Sequence, residues 1–170
     1  MDPTSACNLH CTGCWAAEYG NKLNLTYDEM SSVITQGKEL GVYFYMFTGG
    51  EPLVRKKDLI RLCEEHNDCQ FLSFTNGTLV DEAFCAEMKR VGNLMLAISL
   101  EGDPDVNDLR RGKGVYGRVM HAMDLLKANG LVFGTSICYT AKNCESVSSK
   151  EFVQMMVQKG CRYAMYFHYM

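Results

Sequence analysis

The chain has 170 residues, 47% of them hydrophobic and only three of them proline, which describes one folded domain with a sizeable core and excludes a disordered chain. A formal net charge of −3 excludes a protein built to coat nucleic acid, because phosphate binding draws on a basic surface. No run of about 18 apolar residues spans a bilayer, the opening MDPTSACNLH lacks the charged-then-apolar pattern of a signal peptide, and nine cysteines, an odd number, exclude complete intramolecular pairing, so a reducing cytoplasm is expected.

In chain order, the first feature is CNLHCTGCW, with Cys7, Cys11 and Cys14 in one short loop. A helix is predicted over 25–40, opened by a Thr26–Glu29 capping box and closed by Gly41. An apolar strand at 42–47 leads into Thr48-Gly49-Gly50-Glu51-Pro52. A helix at 56–66 and a strand at 70–74 follow, ending in Thr75-Asn76-Gly77. The next helix, 81–91, precedes a strand at 94–100 and Glu101-Gly102-Asp103. Arg110 to Gly114 reads as a concentrated basic loop. A helix at 116–129, a strand at 131–138, the polar stretch Thr140 to Asn143, a helix at 149–159 with a second box at Ser148–Glu151, and a strand at 162–168 complete the chain.

Strand starts at 42, 70, 94, 131 and 162 recur at the roughly 30-residue interval of βαβ units. The fold class is therefore α/β with a parallel sheet, either open and doubly wound or part of a β/α barrel. In either case the polar clusters after each strand share one rim, where such folds bind ligands.

Three thiols without a nearby fourth leave several readings open. Structural zinc normally closes with four ligands, which His10 or a distant cysteine would have to complete in a non-catalytic metal-binding module. Cys11 and Cys14 also suit a dithiol redox pair, although that gives Cys7 no purpose. A four-iron cluster held by three cysteines keeps one iron open for a substrate or cofactor. The scattered Cys63, Cys69, Cys85, Cys138, Cys144 and Cys161 read as small buried hydrophobes, with no second cluster.

Taken with Gly49-Gly50-Glu51-Pro52 and the Ser99-Leu-Glu101-Gly stretch, the Cys7-x-x-x-Cys11-x-x-Cys14 motif resembles the radical S-adenosylmethionine (SAM) enzymes. The resemblance implies a partial (βα)6 TIM-like barrel, a 4Fe-4S cluster on Cys7, Cys11 and Cys14, and reductive cleavage of SAM to a 5′-deoxyadenosyl radical that abstracts hydrogen from an unidentified peptide, cofactor precursor or lipid. It assigns Gly49, Gly50, Glu51 and Pro52 to SAM's methionyl ammonium, Ser99 and Glu101 to its ribose, Arg111 to its carboxylate, and Asn76 to the pocket floor, with Asn143 a further candidate. It also implies an electron donor such as flavodoxin or ferredoxin. The chain departs from the family in two respects. Gly13 stands where many members have an aromatic, with Trp15 just after the third cysteine. Only six residues precede Cys7, and the chain stops after the last strand, so the single domain 1–170 reads as a core fragment, truncated at the first strand and last helix.

Overall fold

A computed structural model describes residues 1–169. Five strands, Phe44–Phe47 (β1), Gln70–Thr75 (β2), Leu94–Ser99 (β3), Phe133–Tyr139 (β4) and Ala164–His168 (β5), are connected by helices. Helix α1 (Tyr27–Glu39) precedes β1, α2 (Lys56–Glu65) precedes β2, and α3 (Glu82–Val91) precedes β3. Two helices, α4 (Pro104–Arg111) and α5 (Val115–Ala128), join β3 to β4, and two more, α6 (Cys144–Ser148) and α7 (Lys150–Lys159), join β4 to β5.

Local chemistry accounts for most boundaries. The Thr26–Glu29 capping box forms in full at the start of α1, and Met30 and Ile34, one turn apart, are fully buried as an amphipathic face requires. The second box does not form: Ser148 is already the last residue of α6, and Ser149 alone caps α7 by accepting from the Phe152 amide, with no glutamate at the position that would reach back. The basic loop is a further correction, since Arg110 and Arg111 are the last turn of α4, where cations complement the helix carbonyls. Three strands start two residues later than their apolar runs. Val42, Tyr43 and Val132 are exposed connecting residues, so hydrophobicity extends beyond the pairing there.

All strand pairs are parallel and their order follows the sequence, β1-β2-β3-β4-β5. A doubly wound sheet requires a reversal of order, which is absent. Sequential right-handed crossovers place every helix on one face and let the other curl inward. The curl is visible across the sheet: the rings of Phe74 on β2 and Phe167 on β5 lie 5.9 Å apart, whereas three flat strand spacings would separate them by about 14 Å. This is the half-barrel of the partial (βα)6 class. On its helix side Phe47 and Phe71 stack, with centroids 5.5 Å apart, and join buried Leu96, Ile98, Phe133 and Ile137. On its inner side Tyr163 lies across Gly134, where a Cβ would come within 2.4 Å of the ring, and its hydroxyl donates to the Leu96 carbonyl at 2.8 Å. The tyrosine fills the N-terminal end of the barrel.

No strand forms before the cysteine loop among the described residues, but one residue pairs with the sheet. Met1 donates its amine to the Met46 carbonyl at 2.8 Å and accepts from the Thr48 amide at 3.0 Å, the pattern of a parallel strand laid on the free edge of β1.

Candidate active site

The segment leading into Cys7 runs along the turn after β1. The Gly50 amide donates to Thr4 O at 2.9 Å and the Glu51 amide to Ala6 O at 2.8 Å. A Cβ on Gly50 would stand 2.3 Å from Ala6 O, and one on Gly49, whose φ is +103°, 2.7 Å from Thr4 O. Only glycine permits that backbone approach. Glu51 is 1% exposed and accepts from the Asn76 amide at 2.7 Å, the Thr75 hydroxyl at 2.7 Å and the Leu53 amide at 3.0 Å. Burial pushes its carboxyl up, against those three hydrogen bonds. Pro52 opens the single 3-10 turn that Glu51 caps. The GGEP turn thus ties the end of β1 to the end of β2 and to the cysteine loop.

The loop is held at two further points. Asn76, buried at the tip of β2, donates to Asn8 Oδ1 at 2.8 Å and lies 3.9 Å from Cys7 Sγ. From α4, the Arg110 carbonyl accepts from the Thr12 amide at 2.8 Å. Cys11 to Cys14 form a tight turn, the Cys14 amide donating to Cys11 O at 3.3 Å, with Gly13 at φ +68° as a type II turn demands. Tyr169 covers that glycine, its hydroxyl 3.1 Å from the ideal Cβ position.

Cys7, Cys11, Cys14, His10 and Gly50 line one cavity of about 450 Å³. Among the described residues no three His, Cys, Asp or Glu groups converge tightly enough to hold a single ion. Three thiols spread around one cavity, with the Gly50 backbone in its wall, fit a cluster in which each thiolate would ligate a separate iron. Burial pushes the Cys7 and Cys11 thiols up, Arg111 opposing it at Cys11, so metal ligation by them would release protons. A second groove, of about 550 Å³ along Leu53–Asp58 and Leu79, contains no cysteine.

Glu101, fully buried after β3, is bonded by Arg111 Nε at 3.0 Å, and Arg110 Nη1 approaches its other oxygen to 2.9 Å. That second contact is electrostatic, because neither atom finds an aligned hydrogen-bond partner. Asn143, the residue that precedes α6, donates to Glu101 O at 2.9 Å and Cys138 O at 3.1 Å. Glu101 and Arg111, which the sequence suggests as separate contacts, are thus joined to each other, with half-buried Ser99 two residues before Glu101.

Sequence reasoning gave no role to Asn8 or Asn107, and named Thr75 and Arg110 only as members of the Thr75-Asn76-Gly77 and Arg110–Gly114 clusters. Asn107 is fully buried and accepts from the Glu101 amide at 3.2 Å. Asp103-Pro104, an N-cap followed by proline at the first helical position, is the signal that would have exposed α4. Of the other cysteines, Cys63, Cys69 and Cys85 are in the core as expected, whereas Cys138 and Cys161 are half-buried and Cys144 is exposed, so the buried reading holds for three of the six. Burial pushes Cys63 to about 12 and Cys85 to about 11, as inert thiols behave.

Comparison with known proteins gives the same picture. The sequence profile of the Radical SAM superfamily matches residues 1–143. An uncharacterized protein of Archaeoglobus fulgidus is 34% identical over 129 residues, 73% of this chain and 30% of that protein. Fe-coproporphyrin III synthase of Methanosarcina barkeri is 29% identical over 151 residues, 85% of this chain and 37% of the synthase. This chain therefore spans about a third of the length of these relatives. Streptococcus suis SuiB bound to S-adenosylmethionine superposes with a TM-score of 0.86 at 20% identity, over 99% of this chain and 39% of SuiB. No described helix is long and apolar enough to cross a membrane. With the profile extending from the first residue through all of β1 to β4 and the half-barrel shared with SuiB, the chain belongs to the radical SAM superfamily.

Proposed function

We propose that the chain is the catalytic core of a radical SAM enzyme, with Cys7, Cys11 and Cys14 holding a 4Fe-4S cluster in the cavity they line. When bound, the cluster and SAM supply one-electron reductive cleavage of SAM's carbon–sulfur bond, giving methionine and a 5′-deoxyadenosyl radical for hydrogen abstraction. The observation that carries this reading is the contact between the glycine pair and the cysteine loop, which puts Gly50 in the wall of the cysteine-lined cavity.

The chain's own part is binding and orientation. Gly49 and Gly50 offer backbone carbonyls to the methionyl ammonium, with Glu51 adding negative charge and Pro52 fixing the turn. Asn76 and Ser99 line the rim on either side. Glu101 serves the ribose and Arg111 the carboxylate, their mutual bond setting both side chains before the ligand arrives. The substrate is a peptide, cofactor precursor or lipid: relatives are named GTP 3′,8-cyclase and PqqA peptide cyclase, and one SuiB structure holds the precursor peptide SuiA. A flavodoxin- or ferredoxin-like protein in the cytoplasm supplies the electron.

Anaerobic reconstitution tests this. About four irons and four sulfides should bind per chain, with a paramagnetic resonance signal that changes on adding SAM. Cys11→Ala should abolish the cluster and Cys85→Ala should retain it. Stoichiometric zinc without iron uptake would instead establish a non-catalytic metal module, for which the GGEP contact has no use.

A further inference from the structure

We infer that Arg110 is a positioning residue that holds the Cys11–Cys14 turn ready for its metal, a role that rests on the proposed function above. Its backbone and side chain grip the same residue in opposite senses. The Arg110 carbonyl accepts from the Thr12 amide at 2.8 Å, and Arg110 Nε donates to the Thr12 carbonyl at 3.2 Å. Thr12 lies between the two cysteines. The far end of the guanidinium stands 2.9 Å from a carboxylate oxygen of buried Glu101, and the group lies 5.7 Å from the Tyr169 ring centroid, the same ring that covers Gly13. The turn is thus joined through one side chain to the end of β3, and through Tyr169 to the residue after β5.

This geometry separates Arg110 from its neighbour. Arg111 turns both of its bonded nitrogens to Glu101 and makes no bond to the cysteine loop. Arg110 divides its donors between the loop and the carboxylate, which a planar fork with several fixed N–H groups can do and a lysine ammonium cannot do with the same reach. A metal-binding turn that is ordered beforehand loses less conformational freedom on ligation, so the latch should act on cluster retention rather than on SAM itself.

The test compares Arg110→Gln and Arg110→Lys with the unaltered chain in two states. In metal-free protein, exchange of the Thr12 amide should quicken about tenfold in both variants while amides of β2 and β3 keep their protection. In reconstituted protein, a ferrous chelator should strip iron about tenfold faster from the variants, while SAM affinity, measured on the fraction still loaded, stays unchanged. If the glutamine variant also loses protection in the sheet, the lysine variant decides, because it retains a positive charge beside Glu101 and lacks only the divided grip. Unchanged Thr12 exchange in that variant overturns the latch. A fall in SAM affinity with normal iron retention overturns it too, making Arg110 a ligand contact. Failure of the unaltered chain to take up iron would defeat the proposed function alone, since the exchange measurement needs no metal.

Discussion

Glu101 brings one negative charge to a fully buried position and meets two guanidiniums there, Arg111 at 12% and Arg110 at 22% side-chain exposure. Removing the carboxylate leaves both cations without their partner, and breaking a buried ion pair from one side costs about 3–5 kcal/mol. Glu101→Ala should therefore lower the urea midpoint by that amount of stability with little change in the m-value. An unchanged midpoint with weakened SAM binding would instead make Glu101 a ligand contact with no structural part. Glu51→Ala should behave similarly on a smaller scale, about 1–3 kcal/mol, because it strands the Asn76 and Leu53 amides that now donate to the carboxylate. The same denaturation series checks it. The three cysteines and the GGEP turn could be picked out in the sequence because residue type and short spacing mark them, and the structure brings both to one cavity. The Glu101–Arg110–Arg111 group could not, since it depends on a helix folding back over the strand end.

Helix α4 shows why. Of its eight residues only Asn107 is buried, so it lacks the apolar stripe by which α1, α2, α3, α5 and α7 announce themselves, and it is recognisable only from its Asp103-Pro104 start. Among the glycines, conformation and packing separate cases that look alike in sequence. Gly117 lies inside α5, with nothing within 4 Å of its would-be Cβ and no positive φ. Gly117→Ala should thus stabilise the chain by about 0.5–1 kcal/mol through helix propensity, raising the thermal midpoint by about 1–4 °C. Gly50→Ala should act in the opposite direction. Its Cβ would meet the backbone oxygens of Ala6 and Ser5 at 2.3 and 2.5 Å, forcing the turn from the cysteine loop and breaking the bonds to Thr4 and Ala6. Its thermal midpoint should fall and reconstituted iron should drop together. A Gly50→Ala protein with normal iron content would show that the loop does not need the turn.

At the scale of the whole molecule, the alternation of elements disclosed a parallel sheet, but strand order is a property of three-dimensional neighbours, and only the sequential order β1 to β5 decides for a curled half-barrel. The curl leaves two edges. Met1 lies along the outer edge of β1, whereas β5 among the described residues pairs only with β4. The β5 sequence, Ala164-Met-Tyr-Phe-His168, contains no lysine or proline of the kind that protects free edges. Tyr166 and Phe167 are also 43% and 46% exposed, so an incoming strand would gain apolar contact along with its hydrogen bonds. The 170-residue chain should consequently associate as its concentration rises through about 10–100 μM, with light scattering following the apparent mass. Ala164 is exposed at the start of that edge, and its methyl group makes little difference to the fold. Ala164→Lys adds a charge there without removing a contact, and should raise the concentration needed for association by about tenfold, equivalent to about 1.4 kcal/mol, with an unchanged circular dichroism spectrum. If Ala164→Lys has no effect and Phe44→Ser on the concave face suppresses association, the chains meet through the barrel interior and the β5 edge is not the adhesive surface.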